Sequence, residues 1–122
     1  MVQRDGVQAL TADEFEAFLA KPIIMFVDFW AQWCAPCRQF AHVYEQVAQK
    51  YKNIVFAAID IEKEAALAEA LHIQSVPHLM VFKEGIAIYS DSGFVPESVL
   101  HELAEQAIQA DVSDILKQLA AE

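Results

Sequence analysis

At 122 residues, 56% of them hydrophobic and 21% charged, the chain has the size and composition of one globular domain able to bury a core. Its formal charge of −10, from 18 acidic and eight basic groups, argues against nucleic acid and against an anionic membrane surface, both of which call for clustered Lys and Arg. The start, MVQRDGVQALTADEF, holds no continuous apolar run of the secretory kind, and no stretch reaches the ~18 apolar residues of a membrane span.

In chain order, Thr11-Ala-Asp-Glu14 is a capping-box pattern that opens a short helix to about Ala20, with Phe15, Phe18 and Leu19 on one face. Lys21-Pro22 stops it. Ile23–Trp30, IIMFVDFW, is a near-continuous apolar run, the pattern of a strand buried on both faces. A second helix is predicted from about Cys34 to Tyr51. Pro36 sits in its first turn, where a missing N–H costs nothing, and Phe40, Val43, Tyr44 and Val47 follow at helical spacing. Asn53–Ile59 reads as another apolar strand, and Glu62–Leu71 as a helix whose apolar face is mostly alanine. Val76-Pro77 introduces a third strand, His78–Phe82, which turns at Lys83-Glu-Gly85 into Ile86–Tyr89. Past Ser92-Gly93, Pro96 opens a last helix. A βαβ half followed by a ββα half gives an α/β fold: a mixed central sheet with helices on both faces.

Cys34 and Cys37 are the only cysteines. Two are too few for a secreted disulfide framework, so a reducing, cytoplasmic setting is expected, where a close pair signals redox chemistry or metal binding. As a structural staple the pair would close a tiny loop for minimal entropic gain. As a metal site it would need two more ligands, yet His42, His72, His78 and His101 show no paired spacing and no second CxxC exists. The redox reading has the better context. The strand ends at Trp30 and the helix begins at Cys34, so this thiol meets the helix N-terminus, where oriented N–H groups and the macrodipole favour thiolate. Cys37 lies one turn further in and more buried. Cys34 is then the attacking nucleophile and Cys37 the resolving thiol. Asp28, a carboxylate amid Ile, Met, Phe, Val and Trp, is expected to have a raised pKa from desolvation and to take the proton of Cys37. The alternative is that it reaches the strand end and caps a backbone group or meets solvent.

Asp28-Phe-Trp-Ala-Gln-Trp-Cys-Ala-Pro-Cys37 resembles the D-F-W-A-x-W-C-G-P-C stretch of the thioredoxin family. Val76-Pro77 is similar to that family's cis-proline, Lys83-Glu-Gly85 to its hairpin turn and Gly93 to its glycine beside the active site, with the likeness running from about residue 5 to 109. The resemblance implies a thioredoxin fold and dithiol–disulfide exchange on protein substrates. It implies that Trp33, Cys34, Ala35 and Pro36 form an exposed lip, with Val76, Pro77, Ser92, Gly93 and Phe94 lining a shallow apolar groove. It also implies no bound cofactor: the Cys34–Cys37 disulfide would be reduced in trans by a thioredoxin reductase carrying FAD and NADPH.

Departures from the family pattern carry their own expectations. Ala35 replaces the usual glycine between the cysteines and could shift the redox poise modestly. Ala58 stands where relatives commonly carry a lysine beside the buried aspartate, so Asp28 is expected to be harder to ionise. His42 replaces a helix-kinking proline, which implies a straighter helix. His42 reads as a surface histidine. His78, directly after Pro77, could reach the groove or face water. Residues 1–109 read as the thioredoxin-like domain and 110–122 as a helical extension of it. With no Gly or Pro to break that extension, Val112, Ile115, Leu116 and Leu119 continue an apolar stripe, expected to fold back on the domain or to serve a dimer or partner. Two rivals to the reductase remain: an oxidase or isomerase running the exchange the other way, and a binding module or chaperone built on the C-terminal helix.

Overall fold

The structure, a computed structural model, describes residues 6–121. Ten elements follow one another: β1 (Val7–Ala9), α1 (Ala12–Leu19), β2 (Ile24–Trp30), α2 (Ala35–Ala48), β3 (Ile54–Asp60), α3 (Ala65–Ala70), β4 (His78–Lys83), β5 (Ile86–Ser92), α4 (Glu97–Gln109) and α5 (Ser113–Ala121). The strands form one sheet in the order β1-β3-β2-β4-β5. β1, β2 and β3 run parallel, whereas β4 and β5 are antiparallel additions at one side. This is the mixed sheet expected from the sequence.

Helices cover both faces, and the side-chain alternation of the strands decides which residues meet them. On one face Phe26, Phe56, Ala58, Leu79 and Val81 pack under Phe40, Tyr44 and Val47 of α2 and Leu100, Ala104 and Ala107 of α4. The other face presents Met25, Val27, Phe29, Ile59 and Phe82 to Phe15 of α1, with Leu67 of α3 and Leu71 just after it at its margin. β2 and β3 lie inside the sheet with both faces covered, which is why each reads as an unbroken apolar run. The Tyr44 hydroxyl, buried with its ring, donates to the Ala57 carbonyl at 2.9 Å and ties α2 to β3. α2 runs unbroken through His42, which is exposed.

The hairpin between β4 and β5 turns through Glu84 and Gly85, both at positive φ (51° and 81°), the signature of a type I′ turn. A Cβ on Gly85 would stand 2.9 Å from the Leu19 carbonyl oxygen, so this position needs glycine for space as well as for conformation.

Two features depart from the expected element order. β1 was not foreseen: it has only three residues, Val-Gln-Ala, too few for an alternating pattern to show. The C-terminal helix is two helices, α4 and α5, with Ala110 extended between them (φ −61°, ψ 138°). The break comes from a distant side chain. Lys83 Nζ donates to the carbonyls of Ala107 (2.8 Å), Ile108 (3.0 Å) and Ala110 (2.5 Å). Those oxygens would otherwise accept from the next turn of a continuing helix. Asp111 then accepts the Ser113 N–H at 2.9 Å, starting α5, and Val112 is buried against the domain. Ile115 and Leu119 of α5 remain exposed.

Candidate active site

The site stands where three chain segments meet at one end of the sheet: the β2–α2 junction, the loop before β4 and the end of β5. Leaving β2, the chain makes a turn at Gln32–Trp33 and enters α2 with Cys34 as N-cap. Cys34 has extended backbone (φ −93°, ψ 105°), as an N-cap requires, and its sulfur takes the role usually held by a Ser or Asp oxygen: the Cys37 N–H donates to Cys34 Sγ at 3.1 Å. Pro36 lies in the first turn, and that turn contains no acidic residue to compete for the positive end of the helix. Cys34 and Cys37 are joined as a disulfide with a Cα–Cα separation of 5.2 Å.

Facing the disulfide is the Val76-Pro77 loop, whose peptide bond is cis. Cys34 Sγ lies 3.6 Å from the Val76 carbonyl oxygen. The Gly93 N–H donates to the Pro77 carbonyl at 2.8 Å, fastening the end of β5 to that loop. Gly93 adopts φ +110° with open space where a Cβ would stand, so conformation is what calls for glycine here. Trp33 (65% exposed) and Phe94 (47% exposed) present large apolar surface around the disulfide, and Phe94 meets Phe40 edge-on at 5.9 Å between ring centroids. Ala35 and Pro36 are exposed with Trp33, whereas Pro77 is buried.

The two cysteines are covered to nearly the same degree, Cys34 4% exposed and Cys37 3%, a smaller contrast than the sequence suggested. Ala31, Val76, Trp30 and Ile61 pack around them. The contrast that does exist lies in direction: Cys34 sulfur faces the Val76 loop, while Cys37 lines a half-open cavity of about 270 Å³ together with Asp28, Trp30, Ala31, Gln32, Arg38 and Ala41. Asp28 is 0% exposed. Its direct neighbours across the sheet are Ala58 on β3 and Leu79 on β4, so position 58 stands beside the carboxylate and offers it no charge.

His78 leaves the cis-proline loop on the opposite face of the sheet from Asp28. It is half-buried, with Nε2 2.8 Å from Ser90 Oγ and its ring edge-on to Phe29. Burial holds its pKa below the ordinary value, and the charge of Asp91 works in the other direction. The four histidines are not brought together. Among the described residues no group of three His, Cys, Asp or Glu is placed to hold a metal ion, and no helix is long and apolar enough to cross a membrane.

Two residues of the site escaped the sequence reading. Arg38 Nη1 donates to the Gln32 carbonyl at 2.7 Å, clamping the turn that carries Trp33. Its position directly after Cys37 was the available signal. Ile61 packs on the disulfide from beyond the end of β3, and nothing in the local sequence Ile59-Asp-Ile61 marked it.

A cysteine pair capping a helix opposite a cis X-Pro loop, on this sheet order, defines a dithiol–disulfide oxidoreductase of thioredoxin fold. The thioredoxin family model matches residues 6–106, and the chain belongs to the thioredoxin family. A relative from Streptomyces coelicolor that carries a thioredoxin name is 36% identical over 111 residues, covering 91% of this chain and 83% of its own length. The thioredoxin of Coprinus comatus is 34% identical over 98 residues, covering 79% of this chain and 92% of its own. Among solved structures, chloroplastic thioredoxin z is similar with a TM-score of 0.79 at 27% identity, covering 90% of this chain and 99% of the other. The chain is thus a protein-disulfide reductase that works by dithiol–disulfide exchange through Cys34 and Cys37.

Proposed function

We propose that the two sulfurs divide the exchange between them as follows. In the reduced protein the Cys34 thiolate attacks one sulfur of a substrate disulfide; the Cys34–substrate bond forms and the other substrate sulfur leaves as thiolate. Cys37 gives its proton to Asp28 and attacks Cys34 Sγ, the mixed disulfide breaks, and the second substrate sulfur leaves. Two electrons have passed to the substrate, and this chain holds the Cys34–Cys37 disulfide. The observation that carries this assignment is the N-cap geometry: Cys34 Sγ receives a backbone N–H at the start of α2 and stands beside the Val76 loop, whereas Cys37 faces the cavity shared with Asp28.

Asp28 suits the proton transfer because it is fully buried, and desolvation of a carboxylate favours its neutral form and so a pKa nearer that of a usable base. Trp33, Ala35, Pro36, Val76, Pro77 and Gly93 form the substrate contact in this reading, with backbone groups of the Val76 loop available to an extended polypeptide. Regeneration falls to a thioredoxin reductase bearing FAD and NADPH. The setting is the cytoplasm, and the role is electron transport in cell redox homeostasis. Residues 1–109 form the thioredoxin-like domain and 110–122 its extension; residues 1–5 and 122 lie outside those described. The chain acts as a monomer. A dimer or partner contact through α5 is a second reading, supported by the exposure of Ile115 and Leu119.

The test is trapping. Cys37→Ser is expected to accumulate mixed disulfides with oxidised protein substrates through Cys34. Accumulation in Cys34→Ser instead, with none in Cys37→Ser, reverses the two roles. A measured potential far above the cytosolic glutathione poise would favour the oxidase direction.

A further inference from the structure

Arg38 stands where a positive charge costs energy. It follows directly after Cys37 near the start of α2, beside the positive end of that helix, and no acidic residue in the first turn offsets it. Its guanidinium reaches back six residues, and Nη1 donates to the Gln32 carbonyl at 2.7 Å. The choice of acceptor is what matters. Residues 31–34 form a β-turn closed by the Cys34 N–H on the Ala31 carbonyl at 3.2 Å. The Gln32 carbonyl therefore belongs to the central peptide of the turn, which takes no part in that closing bond. The nitrogen of the same peptide is that of Trp33. The Trp33 side chain is 65% exposed, so packing does little to place the indole, and the backbone that carries it does the rest. A charge-assisted bond from a planar guanidinium is a strong way to fix that backbone.

We infer that Arg38 is a positioning residue for protein substrates: by holding the Gln32–Trp33 peptide, it sets the Trp33 indole in place before a substrate arrives. The inference rests on the reading of Trp33 as part of the substrate contact. Arg38 acts through that residue and does not itself touch the substrate. A segment ordered in advance pays its entropy during folding, whereas a loose one pays it at each binding event and weakens affinity by that amount. Fixing the backbone of about one residue is worth roughly 10-fold in an equilibrium constant. A small disulfide that reaches the sulfur without leaning on the indole escapes most of that penalty. A role through charge alone would act differently, since it would favour anionic substrates of any size and fade with added salt.

A double-mutant cycle tests this, with Arg38→Met and Trp33→Ala made singly and together, insulin as the protein disulfide and dithiobis(nitrobenzoate) as a small anionic one. Arg38→Met is expected to lower kcat/KM for insulin by roughly 5- to 10-fold, mostly through KM, as lost binding rather than lost chemistry. In the Trp33→Ala background the same substitution should change kcat/KM by less than about twofold, because the side chain it positions is gone. The loss on dithiobis(nitrobenzoate) should be the smaller of the two. Relaxation of the Trp33 indole N–H should report the cause directly, with its order parameter falling from about 0.85 to below about 0.6 in Arg38→Met. An equal factor in both backgrounds, an indole as ordered as in the wild type, or a larger loss on the small anion than on insulin overturns the inference. Trp33→Ala that reduces insulin as fast as the wild type overturns instead the reading of Trp33 beneath it.

Discussion

Two helices of this molecule begin with the same backbone problem and solve it with different atoms. At the start of α1, Thr11 Oγ1 accepts the Glu14 N–H at 3.2 Å, and Glu14 Oε1 accepts the Thr11 N–H at 2.9 Å. At the start of α2, Cys34 Sγ accepts the Cys37 N–H at 3.1 Å. In both cases a side chain satisfies a donor that the helix leaves orphaned. The surroundings differ. α1 places Asp13 and Glu14 in its first turn, so carboxylates occupy its positive end, whereas the first turn of α2 has no acidic residue and its positive end remains for the sulfur. A hydroxyl cannot ionise near neutral pH, and a thiol can. The same local geometry is a fold-stabilising cap in one helix and, on the proposed division of roles, a nucleophile's cradle in the other.

Substituting the two caps in parallel separates these roles. Cys34→Ser, which keeps an N-cap acceptor, is expected to abolish disulfide reduction while changing stability by no more than about 1 kcal/mol relative to the reduced wild-type protein. Reduction that proceeds normally in this variant removes the distinction between the helices. Asp28→Asn should leave alkylation of Cys34 intact but slow the release of the mixed disulfide by on the order of 10²-fold, the usual contribution of a positioned base. An Asp28 titration by NMR that ends well below the ordinary carboxylate range would contradict the role given to its burial.

At the opposite type of helix end, Lys83→Met withdraws the ammonium from three carbonyls and is expected to cost about 2 kcal/mol, seen in denaturant unfolding, with α5 losing its fixed start. Thr11→Ala should cost about 1 kcal/mol with no change in kcat/KM, since its cap touches nothing reactive. The smallest effect belongs to Asp111, whose pKa is held below the usual value by hydrogen bonds from the side chain and then the backbone of Ser113, with Lys83 adding and burial opposing. A depressed folded-state pKa means that this support is present above the ordinary aspartate pKa and disappears as pH falls through the lower, folded value. The Ser113 amide resonance should therefore begin to move only in acid, below roughly pH 4; movement near neutrality would contradict the assignment.

How much of this the sequence disclosed depends on whether the cause was local. IIMFVDFW marked a strand covered on both faces because burial on two sides leaves no polar alternation, and Thr11–Glu14 marked a helix start because both members of the capping box lie within one turn. Cys34, Pro36 and Cys37 were legible for the same reason: all three lie on a single strand-to-helix junction. The break at Ala110 was not legible, since its cause, Lys83, lies 27 positions away in sequence and acts only once β4 and α4 are packed together. Ile61 was hidden because an isoleucine just past a strand looks the same whether it faces a core or a disulfide. The comparable burial of the two cysteines was also out of reach, because the cover on Cys34 comes from Val76, 42 residues on.

The most direct test is the titration of the Cys34 thiol in the reduced protein, followed by thiolate absorbance, with Cys37→Ser isolating the signal. A pKa clearly below the ~8.5 of an ordinary cysteine is expected from an N-cap sulfur at an unneutralised helix terminus. A thiol at position 34 that stays protonated up to pH ~9 would show that the helix end does not activate it.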